Sequence, residues 1–119
     1  MLAVSPQTSI FLAVKHVDFR CGIDGLAQQC RSIIEQNPLS GAIFVFRNRA
    51  GTSIKLLTYD GQGYWLCQKR WSTGKLNWWP DTTLPNQRLL PRELSILLHN
   101  GNPQDAAMAH DWHSVNGHC

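Results

Sequence analysis

Basic and aromatic side chains alternate through residues 44–80, FVFRNRAGTSIKLLTYDGQGYWLCQKRWSTGKLNWWP, a composition suited to holding an anionic polymer. The cations are Arg47, Arg49, Lys55, Lys69, Arg70 and Lys75 against the single acid Asp60, with Tyr59, Tyr64, Trp71, Trp78 and Trp79 interleaved. Guanidinium and ammonium groups neutralise phosphates, and exposed aromatic planes stack on bases at about 1–3 kcal/mol each. These cations are the expected nucleic-acid contacts. The competing reading is a core filled by the tryptophans and a rim merely solubilised by the cations.

Acid chemistry is thinner. The eight Asp and Glu residues offer no convincing catalytic pair, and there is no Gly-x-Ser-x-Gly elbow, no Gly-Lys-Ser/Thr phosphate loop and no His-Glu-x-x-His helix. Asp18, Asp24 and Asp60 suggest a magnesium site of a nuclease, but Asp24 and Asp60 already have roles as helix-cap and turn residues. The chain therefore reads as non-enzymatic and cofactor-free, with a metal-dependent nuclease as the lowest-ranked alternative. His110, Asp111, His113, His118 and Cys119 are zinc-ligating types, yet their spacing fits no standard module, and no metal is expected.

Asp18 and Arg20, followed by Gly22 and Gly25, read as a structural motif. A buried Asp/Arg pair fixes a strand-to-helix turn, and the glycines permit close packing or positive φ. The alternative is a phosphate held at the helix N-terminus. Asp60-Gly61 is the other turn motif, since a type I′ hairpin needs positive φ at both central positions.

The elements that position these residues follow from periodicity. Residues 10–14, IFLAV, form a short buried strand; Leu26, Cys30, Ile33 and Ile34 recur at helical spacing until Asn37-Pro38 stops them. Strands follow at 42–47, 54–59, after the Asp60-Gly61 turn, and at 75–79, with a loop over 81–87. A two-residue turn would set Leu57 opposite Tyr64 and Lys55 opposite Leu66. It puts Ile54, Leu56, Trp65 and Cys67 on a core face, and Lys55, Leu57, Tyr64, Leu66 and Arg70 on a face that is either a partner surface or half covered. Leu57, Tyr64, Leu66 and Trp78 are thus candidate partner contacts. Residues 91–98 read as a second helix with Pro91 in its first turn and Asn100-Gly101 as its stop.

The fold class expected is α+β: a twisted, mostly antiparallel sheet of about five strands, one main helix on a face and a short C-terminal helix covering an edge. With 119 residues and 43% hydrophobic content, one domain over residues 1–101 and a flexible tail over 102–119 are expected. The net charge is +3, and residues 15–75 hold nine basic and four acidic side chains while 76–119 hold two and four. Cys21, Cys30, Cys67 and Cys119 lack Cys-x-x-Cys spacing and read as reduced, mostly buried thiols. Neither signal peptide nor membrane span is expected, which points to a cytoplasmic protein.

These motifs resemble a known family. Asp18-Phe19-Arg20 with Gly22 and Gly25-Leu26, Phe44-Val45-Phe46-Arg47-Asn48-Arg49 with Gly51, Ile54-Lys55-Leu56, Asp60-Gly61-Gln62-Gly63, Leu66 with Lys69-Arg70, Gly74, and Trp79-Pro80 occur in the order found in the TnpB accessory proteins. These are encoded by the second reading frame of bacterial insertion sequences of the IS-sixty-six class. The resemblance covers about residues 1–98 and departs after Leu98, and Trp71 stands where an aliphatic residue is common. It implies a protein assisting DNA transposition beside a separately encoded transposase that supplies the catalytic acids. The expected partners are DNA at the element ends, the cognate transposase, or both.

Overall fold

The computed structural model describes residues 4–103. The expected tail and its histidines therefore lie almost wholly outside the described residues. Nine elements follow in order: β1 (Ile10–Ala13), a 3-10 turn (Phe19–Cys21), α1 (Gly22–Gln29) running on as a π-type turn (Cys30–Ile34), β2 (Ile43–Arg47), β3 (Ser53–Tyr59), β4 (Tyr64–Arg70), β5 (Asn86–Leu89) and α2 (Pro91–Leu98). They form one sheet in the order β4-β3-β2-β1-β5. Only the β1–β2 pair is parallel, with α1 in the crossover between them; β3, β4 and β5 join antiparallel. The fold is α+β, as expected.

The central strands are buried along most of their length because both faces of the sheet are covered. On one face, Phe44, Phe46 and Leu57 pack under Leu26, Ala27, Cys30 and Ile34 of the first helical segment. On the other, Ile10, Leu12, Ile43, Val45, Ile54 and Leu56 meet Leu94 and Leu97 of α2. α2 therefore covers a face, not an edge. Each such side chain, removed fully from water, contributes about 1.5–3 kcal/mol.

The segment 75–79 is not a strand. Leu76, Trp78 and Trp79 pack against the α2-side core, and the Trp79 indole donates to the carbonyls of Ala13 and Val14, both at 3.1 Å. The open edge of β1 is filled instead by residues 86–89, part of a stretch whose polarity reads as loop. That polarity fits an edge position, where alternate side chains face water. Residues 71–85 carry the chain from one edge of the sheet to the other.

The β3–β4 register also differs from a two-residue turn. Tyr59 pairs with Tyr64, Leu57 with Leu66 and Lys55 with Gln68. The loop is longer because Asp60 Oδ1 accepts from the amides of Gln62 and Gly63, at 2.9 and 3.0 Å, and Gly61 takes φ +96°. The slip is two residues, and an even slip leaves every side chain on its expected face. The faces expected from sequence therefore survive the wrong register, but the mixed face of Leu57 and Leu66 turns out to be the one beneath α1.

Candidate nucleic-acid interface

Parallel pairing brings the carboxyl ends of β1 and β2 to one end of the sheet, and antiparallel pairing adds the start of β3 and the end of β4. The segment after β1 is tied there by Val17 N donating to Arg47 O at 3.0 Å, and the 71–76 loop by Trp71 N to Thr52 O and Leu76 N to Gly51 O. Lys15, Arg20, Arg47, Arg49, Arg70 and Lys75 consequently gather at this end, with Asp18 and Asp81 as acids and Asp24 in the first turn of α1.

The β2–β3 turn that carries Arg49 is held by one side chain. Asn48 Oδ1 accepts from Thr52 N and Ser53 N at 2.9 and 3.2 Å, and its Nδ2 donates to Thr52 Oγ1 at 3.0 Å. Asn suits this position because its amide mimics the backbone groups a turn leaves unpaired. Arg49 is exposed and makes no hydrogen bond or ion pair among the described residues. Arg70 and Lys75 are also exposed.

The remaining expected contacts are engaged within the protein. Lys55 is only 7% exposed; its Nζ donates to Phe19 O at 2.9 Å and lies 4.7 Å from the Phe19 ring centroid. Lys55 is thus an internal brace of the 3-10 turn and not the phosphate contact expected from sequence. Lys69 Nζ donates to Leu98 O at the C-terminus of α2, where a cation is favoured by the helix dipole, and stands 5.5 Å over Trp71. Arg47 is half-buried, 5.9 Å over the Trp79 ring, with its Nε enclosed.

The candidate partner contacts fare similarly. Leu57 is fully buried beneath α1, so it cannot meet a partner. Tyr64 stacks edge-on against Tyr59 at 5.2 Å, and Leu66 packs on the same core. Trp78 packs on the opposite core. Along the strip that alternation sorted as a possible docking face, Leu57 and Lys55 are buried while Tyr64 and Leu66 are half-buried and Arg70 is exposed.

The Asp18/Arg20 motif is present but exposed, not buried. Asp18 accepts from Arg20 N at 2.9 Å, from Nε at 3.0 and 3.2 Å, and from Nη2 at 2.8 Å, with the Arg20 side chain 91% exposed. These bonds to Arg20 hold the Asp18 carboxyl well down, at about 2. Gly22 has φ +69° and ψ −171°, a conformation confined to glycine, and a Cβ on Gly25 would fall 2.5 Å from that of Cys21. Both glycines are thus required for the turn to feed α1. Across it lies a groove of about 510 Å³, lined by His16, Val17, Asp18, Phe19 and Arg20 on one wall and Asn48, Arg49 and Ala50 on the other. His16 and Lys15 were not expected as contacts, and their only sequence signal is the basic bias from residue 15 onward.

Asp60 stands at the opposite end of the sheet from Asp18, its Oδ2 accepting from Trp65 Nε1 at 2.8 Å. The three acids of the nuclease alternative therefore do not converge. Among the described residues no cluster of His, Cys, Asp or Glu is arranged to hold a metal ion, and no helix is long and apolar enough to cross a membrane. Cys21, Cys30 and Cys67 are free thiols; burial pushes that of Cys30 up to about 12, and Cys21 is exposed.

The family model described as IS66 Orf2 like protein matches residues 8–107. Two proteins of Sinorhizobium fredii are similar along most of their length. The uncharacterized protein y4hO is 37% identical over 98 residues, 82% of this chain and 84% of its own. The uncharacterized protein y4jC is 33% identical over 100 residues, 82% of this chain and 83% of its own. No solved structure matches significantly.

Proposed function

Because the chain belongs to the IS66 Orf2-like family, we propose that it is a non-catalytic accessory factor for transposition of an insertion sequence, binding DNA through the basic end of its sheet. The observation that carries this reading is the convergence of Arg49, Arg70 and Lys75, all exposed, on one end of the sheet from separate turns and strands. Solvated cations on a rigid frame neutralise backbone phosphates without a folding cost at the moment of binding. Docking on the transposase through Leu57 loses its support, because that side chain is fully buried in the α1-side core, whereas Tyr64 and Leu66 are half-buried at its margin.

A pull-down of the tagged full chain from cells carrying the whole element, scored in parallel for DNA and for transposase, separates the two partners. DNA retention at low salt that fades as salt rises is the expected result. Transposase recovery that survives nuclease treatment, with no DNA retained, would replace this reading with the protein-docking one.

A further inference from the structure

The groove between the 3-10 turn and the β2–β3 turn has fixed walls. Val17 N to Arg47 O, at 3.0 Å, joins them, and the Lys55 ammonium braces one from within through Phe19 O. Asn48 fixes the other. Each wall presents a guanidinium to water. Asp18 grips Arg20 through Nε and Nη2, which leaves Nη1 free to donate outward. Arg49 has its whole donor fork available. The charged lining of Asp18, Arg20 and Arg49 carries one net positive charge.

We infer that this groove seats one backbone phosphodiester, clamped between Arg49 on one wall and Arg20, oriented by Asp18, on the other. A diester carries one negative charge and matches the lining; a terminal or free phosphate carries between one and two and is repelled more strongly by the Asp18 carboxylate. Guanidinium forks suit this task because they donate two parallel bonds to phosphate oxygens. The inference names the binding subsite within the DNA-contacting end proposed above and rests on that reading for its biological ligand.

The test uses the isotope-labelled full chain titrated with a thymidine dinucleotide, which contains a single phosphodiester, and separately with inorganic phosphate. Shifts are expected at the amides of residues 16–20 and 48–50 and at the Nε–H signals of Arg20 and Arg49. Arg49→Ala, at an exposed turn position, should weaken the diester roughly tenfold, the scale of one charge-assisted hydrogen bond. No shift at either wall, shifts indifferent to Arg49→Ala, or tighter binding of inorganic phosphate would each overturn the inference. Duplex DNA is titrated alongside. Duplex binding with silent groove signals would remove the groove but keep the DNA reading; diester binding in the groove without duplex binding would do the reverse.

Discussion

At the carboxyl end of β1 and β2, Arg49, Arg70 and Lys75 stand on turns and strand ends whose backbone bonds are already made, and their charges face water. At the opposite end, Asp60 uses its carboxylate on Gln62, Gly63 and Trp65, and Glu93 accepts from Leu90 N at 2.7 Å to start α2. The same strands thus end in uncommitted charge on one side and committed charge on the other. Counting residues by type does not separate these states, since Lys55 and Lys69 belong to the basic stretch and both donate within the protein, Lys55 from a buried position and Lys69 at the surface. A charge is available to a partner only when its side chain is exposed and keeps a donor that no internal acceptor has claimed, as Arg20 does with Nη1.

The largest expected effect lies between the ends. Leu57→Ala should cost about 2–5 kcal/mol in urea unfolding, because it opens a cavity under α1. If Leu57 instead met a partner, stability would hold and only docking would suffer. Next comes the contrast between cations. Lys55→Met, nearly isosteric, leaves Phe19 O without its donor and should cost about 1–3 kcal/mol. Arg49→Ala should stay within about 0.5 kcal/mol of the parent protein. Equal effects on unfolding would erase the distinction between braced and free charge.

The smallest effect is acid dependence. The folded protein holds Asp18 at about 2, below its ordinary 3.8, and lowers Asp60 through the Gln62 and Gly63 amides and the Trp65 indole. Ionised carboxylates therefore favour the folded state. For Asp18 the contribution is complete above about pH 4 and fades as pH falls through about 2. Asp18→Asn combined with Asp60→Asn should flatten the acid limb of a melting-temperature profile over that interval; an unchanged limb would show that neither pair contributes.

The fold class was legible because the segments 10–14, 42–47 and 54–59 have the length and composition of strands, separated by turn residues. The even register slip preserves the faces although the Asp60 loop is longer than the two-residue turn that Asp60-Gly61 suggests. Strand β5 was not legible. Asn86-Gln87-Arg88-Leu89 has no strand composition and is a strand only because β1 offers it an open edge, whereas Trp78 and Trp79 have strand composition and find a face to cover instead. The candidate site was legible in part. Arg49, Arg70 and Lys75 could be named from the basic stretch, but the groove joins residues 16–20 to 48–50 through a tertiary bond, Val17 to Arg47, that no local pattern encodes.

The central claim is that DNA affinity resides at one end of the sheet, and salt dependence tests it most directly. The full chain, an Arg49→Ala/Arg70→Ala/Lys75→Ala variant and an Arg88→Ala/Arg92→Ala variant altered toward the opposite end would be compared for duplex binding across a salt series. Removing the basic end should lower the slope of log K against log salt by roughly 3, about 0.9 per lost phosphate contact, and leave the other variant at the parent slope. Equal slopes for both variants, or a larger loss from Arg88 and Arg92, would contradict the account.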